Sequence, residues 1–207
     1  LQAGGVARYA GGMSVAVQLG PRASLADLLA IPEEQRSHEI VDGELVRKAM
    51  PSGPHGRAQR VLGGRIGDPY DRRPGGRLPG GWWITTETEV QFAEDQVYRP
   101  DVVGWLREIL PELPRTTPIS VRPDWVCEVL SPSTARLDRV KKMRVYQRCG
   151  VPHYWMADPE DQTLTVYRWT PEGYLLILTA ERGERVRAEP FGEVELEMDA
   201  LFGDEAT

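Results

Sequence analysis

An apolar run over residues 125–130 carries a single carboxylate, Glu128, in its middle, and no other stretch constrains the fold as strongly. The run lies between Pro123 and Pro132 and is rich in β-branched and aromatic residues, which predicts a buried strand. Ser131-Pro132-Ser133-Thr134 then supplies a turn and a helix N-cap. A basic amphipathic helix is predicted over about 136–149, closed by Gly150 in the left-handed conformation. A charged carboxylate inside a buried strand is costly unless it is paired or ligates a cation. Glu128 therefore needs either a salt bridge to the following helix or a metal ion, and the run alone leaves both open.

The flanking segments supply partners for this strand. Ser24 caps a short predicted helix, 25–30, which Pro32 stops. Residues 38–50 alternate around Asp42-Gly43, a hairpin signal, with Glu44 just past the turn. A helix is predicted over 54–66, with His55 in its first turn and Arg57, Arg60 and Arg65 around its apolar stripe. The segment 67–81, rich in Gly, Pro and Arg, has no periodicity and is expected to be a loop. Residues 82–92 alternate as a strand with one wet face, and 97–105, which contains Asp101, makes its partner. Strands are expected at 153–157, 164–169, 174–180 and 193–198. This order predicts an α/β or α+β fold, a central sheet with helices packed against it.

Composition removes several classes of protein. A net charge of −6 over 207 residues argues against a chain that coats nucleic acid non-specifically. Basic residues nevertheless cluster at 57–77 and 136–148. The two cysteines, Cys127 and Cys149, form no CxxC pair, and both fit small buried hydrophobes in a reducing compartment. No segment has the apolar length of a membrane span, and the first residues lack the pattern of a signal peptide, so a cytoplasmic location is expected.

Two strand carboxylates and a lysine on the helix after Glu128 make a chemically meaningful set. Hard divalent cations bind through one or two carboxylates together with water and substrate phosphate. A cation held in this way polarises a phosphoryl oxygen and activates water, while an ammonium group offsets charge developing on the phosphate. Asp138, Lys142 and Tyr146 are spaced at four, so they share one face of the helix.

These residues resemble the Uma-type restriction endonucleases, a bacterial family within the PD-(D/E)xK nuclease superfamily. The resemblance is carried by VDGELV at 41–46, His55 before a helix, RPDVV at 99–103 and VCEVLSPST at 126–134. Asp138, Lys142, Tyr146, Gly150-Val151, Tyr154-Trp155 and Asp158-Pro159 continue it. It implies a restriction-endonuclease-like core with a mixed central sheet flanked by helices, in a single domain over 24–207 after an N-terminal extension, 1–23. It implies an endonuclease dependent on Mg²⁺ (or Mn²⁺), with Asp101, Glu128 and Lys142 catalytic, and Asp101, Glu128 and Glu44 as metal ligands. Substrate contacts fall to His55, Arg57 and Tyr146, with Arg60 and the 72–77 loop as further phosphate contacts. The expected partner is nucleic acid, DNA foremost; a homodimer stays open. The superfamily lysine two residues after the acid is Leu130 here, and Lys142 fits a lysine moved to the next helix. A catalytically silent binding module on the same scaffold is the alternative.

Overall fold

The computed structural model describes residues 22–203, Thr134 excepted. Ser24 opens α1 (Leu25–Leu29) through a reciprocal cap with Asp27. β1 (His38–Val41) and β2 (Glu44–Arg47) pair antiparallel around Asp42 and Gly43, whose φ angles of 54° and 77° suit a type I′ turn. Alternation divides β1. Ile40 joins a cluster with Leu28 and Val97, while Glu39 and Val41 face the other way.

α2 (Gly53–Tyr70) begins at Ser52, whose Oγ accepts the His55 N–H at 3.4 Å. It runs past the expected end at residue 66 because Ala58, Leu62, Ile66 and Tyr70 continue one buried stripe at helical spacing. The following loop shrinks accordingly to 71–81. It is closed by backbone bonds from Gly80 N–H to the Pro69 carbonyl and from Gly81 N–H to that of Arg72.

The two long strands expected next are each broken in two. β3 (Trp82–Thr86) pairs with β6 (Val102–Leu106) in one sheet, whereas β4 (Val90–Ala93) pairs with β5 (Gln96–Tyr98) in another. One arm turns at Glu87, which holds a φ of 53°; the other turns at Arg99-Pro100, where proline has no N–H to give a ladder. A single hairpin thus crosses from one sheet into the other.

β7 (Trp125–Val129), β8 (His153–Asp158), β9 (Thr163–Thr170) and β10 (Gly173–Glu181) complete a six-stranded mixed sheet in the order β10-β9-β8-β7-β6-β3. The four-stranded sheet runs β2-β1-β5-β4. Only β7 and β8 are parallel within the larger sheet, so a crossover joins them. It consists of a π-helical turn, Leu137–Lys142, followed by α3 (Met143–Arg148), and it ends at Gly150 with φ 67°. Thr134, the expected cap, lies outside the described residues, as does most of the 1–23 extension.

The strand expected at 193–198 shortens to β12 (Leu196–Glu197), paired with β11 (Arg185–Val186). α4 (Met198–Phe202) follows, because Met198 and Leu201, three apart, are buried with the α2 stripe. One face of the large sheet packs Trp82, Trp125, Trp155 and Phe191 under α2 and α4. The other packs Val103, Trp105, Val126 and Tyr154 against α3, through Val145 and Tyr146, and against the small sheet. Every residue of β7 is buried, which explains why all of them but Glu128 are apolar. Among the described residues no helix is long and apolar enough to cross a membrane.

Candidate active site

β6 and β7 bring the two strand carboxylates together. Val102 pairs with Cys127 and Val103 with Val126, so one further step in the register sets Asp101 opposite Glu128 on the face of α3. Asp101 is 2% exposed and Glu128 1%. Both line a cleft of about 170 Å³, together with Glu39, Lys48, His55, Asp138 and Lys142.

Asp101 is held from three sides. Its Oδ2 accepts the Val129 N–H at 2.7 Å and lies 3.3 Å from His55 Nε2; its Oδ1 accepts from Lys48 Nζ at 2.9 Å. Lys48 also donates to both Glu87 oxygens, at 2.8 and 2.9 Å, and to the Arg99 carbonyl at 2.7 Å. Gln59, one helical turn after His55, donates to Glu87 Oε1 and to the Asp101 carbonyl, each at 3.0 Å. Burial works against the charge on Asp101, but the His55 hydrogen bond and the Lys48 ammonium outweigh it and hold the carboxyl well below the usual carboxylate range.

Glu128 sits in the opposite regime. Its Oε1 accepts from Tyr146 Oη at 2.6 Å and from Lys142 Nζ at 3.2 Å, while Oε2 receives no hydrogen bond among the described residues. Complete burial pushes its carboxyl up to about 8; Asp138 and Asp101 push the same way, and Lys142 opposes them. Lys142 reaches Glu39 Oε1 at 3.0 Å and Asp138 Oδ1 at 3.4 Å as well, so three carboxylates surround one ammonium. Burial disfavours that charge, yet these carboxylates, Glu128 first, hold it well above the ordinary lysine value. One oxygen of Glu128 is thus paired to the following helix, as the salt-bridge reading of the strand expects.

Within the π-helical turn the two lysines part. Asp138 and Lys142 are its two buried residues, while Lys141 turns outward to Asp42 at 2.9 Å with half of its side chain exposed. π-helical turns inside helices recur at functional sites.

Other expected site residues are distributed unevenly. His55 lines the cleft but acts on Asp101, and Tyr146 is wholly buried behind Glu128, where it cannot reach a substrate. Glu44 is exposed on β2 and does not line the cleft. Arg57, two residues after His55, is rotated about 200° around α2 from it, so the helix that brings His55 in turns Arg57 away. The 72–77 loop follows the far end of an 18-residue helix, roughly 25 Å from His55 at 1.5 Å rise per residue. Glu39, Lys48, Gln59 and Glu87 are site residues that the sequence reading passed over. For the first two a signal existed: Glu39 alternates with buried Val41, and Lys48 with half-buried Val46.

The donor set has a definite chemical character. Among the described residues no group of three or more His, Cys, Asp and Glu side chains is arranged to hold a metal ion. Two cleft-lining carboxylates fit a hard cation that takes its remaining ligands from water and phosphate, as Mg²⁺ does, and do not fit a closed structural zinc site.

Comparison with solved structures finds this fold in a nuclease-like protein. One neighbour is a crystal structure described as "a putative nuclease belonging to DUF820" from Anabaena variabilis, at 23% identity and a TM-score of 0.69. The match covers 86% of this chain and 97% of that one. A family model, Uma2, described as "Putative restriction endonuclease", matches residues 25–200, and the chain belongs to that family. No curated protein matches.

Proposed function

We propose that the chain is a divalent-metal-dependent nuclease hydrolysing phosphodiester bonds in nucleic acid, DNA foremost, in the cytoplasm. The observation that carries this reading is the pair of buried carboxylates, Asp101 just before β6 and Glu128 in the neighbouring β7, which line one cleft. Family membership and the fold shared with a protein described as "a putative nuclease" support it. Asp101 and Glu128 would hold Mg²⁺ (or Mn²⁺), which supplies Lewis acidity toward the phosphoryl oxygen and activation of water. Glu128 would offer Oε2, the oxygen without a hydrogen bond. His55 and the Val129 N–H fix the Asp101 carboxylate, and Tyr146 fixes Glu128. Lys142 offsets the charge of the carboxylates around it and would offset that of a phosphate brought beside them by the cation. Such preorganisation is how a buried polar site favours a charged transition state.

One observation favours a silent module: both oxygens of Asp101 are already occupied by protein donors. A single experiment separates the two readings. Labelled single- and double-stranded DNA and RNA are incubated with the wild type and Glu128→Ala in Mg²⁺, Mn²⁺ or chelator. Metal-dependent cleavage that is lost in Glu128→Ala is expected. No metal-dependent cleavage of any of the four substrates, or equal cleavage by both proteins, would leave the silent module standing.

A further inference from the structure

We infer that Lys48 is an exchangeable internal cation, shared by Asp101 and Glu87 and held by Glu87 alone when Asp101 takes up a divalent ion. This rests on the metal-dependent reading of the cleft. The two oxygens of Asp101 differ in kind. Oδ2 is tied to the Val129 N–H, a backbone group that cannot leave without disturbing β7, and to the buried imidazole of His55. Oδ1 is tied to a flexible side chain. Lys48 stands just past the end of β2, and residues 49–54 that follow it are exposed.

A second seat is already built. Lys48 Nζ lies within 2.9 Å of both oxygens of Glu87 and 2.7 Å from the Arg99 carbonyl, so release from Asp101 costs one of its contacts and not its pairing. Gln59 holds Glu87 in place. The Glu87 side chain is 35% exposed, against 2% for Asp101, so the transferred ammonium sits nearer to water.

Lys142 cannot behave in this way. It is 3% exposed and enclosed by three carboxylates, and leaving Glu128 would strand charge in the interior. The site thus pairs one fixed ammonium with one mobile ammonium. The mobile one keeps a buried aspartate neutralised in the ion-free protein, and it lowers apparent ion affinity by the fraction of time it spends on Asp101.

The test uses the full chain and Mn²⁺ alone, read by calorimetry or by the electron paramagnetic resonance of the bound ion. If Lys48 occupies Asp101 for nine-tenths of the time or more, Lys48→Met binds Mn²⁺ roughly tenfold more tightly than the wild type. Lys141→Met, on the outer face, is unchanged. Equal or weaker binding by Lys48→Met overturns the inference while leaving the metal site intact; absence of binding in every form overturns both. A second readout needs no variant. Acetylation of Lys48 by a soluble anhydride, followed by mass spectrometry, is expected to rise several-fold on adding Mn²⁺ while Lys142 stays protected. A Lys48 signal indifferent to Mn²⁺ overturns the exchange.

Discussion

Glu39 and Glu44 stand on the two arms of one hairpin and end in opposite surroundings, one 2% exposed against Lys142 and the other in solvent. Alternation from Val41 points Glu39 inward, so its place was legible, whereas its partner lies 103 residues away and no local pattern names it. Glu128 was legible for the converse reason, a charge standing alone in an apolar strand. Its energetics bear on two predictions. The Glu128 carboxyl is raised from 4.5 to about 8, so the folded chain holds a proton that the unfolded chain has lost between those values. Its contribution to stability is therefore full below about pH 4.5 and is lost as pH rises to about 8. In chelator, Tm of the wild type is expected to fall over that interval more steeply than Tm of Glu128→Gln; parallel curves would contradict it. Lys142→Ala is expected to reduce metal-dependent cleavage on the order of a hundredfold or more, with Lys141→Ala mild. The fold is affected as well, because three buried acidic side chains lose their counter-charge. A loss of roughly 3–5 kcal/mol is the cost of breaking buried pairs, measurable by denaturant titration.

Elements were most legible where the chain alternates or caps itself, as in β1, β2 and α1, and least where tertiary contact overrides pattern. The hairpin at 82–106 keeps alternating through its bend, so periodicity gave no warning that Glu87 and Pro100 divide it between two sheets. That division matters because Asp101 and Glu87 stand at the crossing, where strand pairing lapses and side chains from both sheets can meet. The π-helical turn was equally hidden, since spacing at four already placed Asp138, Lys142 and Tyr146 on one face. A prediction at this scale concerns the loop after α2. Gly80 has a φ of +64°, and a Cβ there would lie 2.5 Å from the Arg73 carbonyl oxygen. Gly80→Ala must therefore shift backbone, and we expect a loss of about 1–3 kcal/mol, the usual cost of such strain, seen in thermal unfolding. Because the loop lies far from the cleft, Mn²⁺ affinity should not change with it.

At the scale of the whole molecule, a net charge of −6 coexists with a cleft holding more buried carboxylates than ammonium groups. A divalent ion that binds only the folded chain stabilises it by about 2.7 kcal/mol at a hundred times its Kd. For a chain of this length that raises Tm by roughly 5–10 °C. Calorimetry with and without Mn²⁺ checks this, and Asp101→Asn combined with Glu128→Ala should abolish the shift. Glu39, Lys48 and His55 precede the exposed loop at 71–78, whereas Asp101, Glu128 and Lys142 follow it. The halves so defined are not separable bodies. β1 from the first pairs with β5 from the second at Ile40 and Val97, and α2 buries its stripe among residues of the second. A protease that nicks the 71–78 loop would therefore yield two polypeptides that migrate apart only after denaturation. In the native state they would stay together as one non-covalent complex, with the cleft still complete.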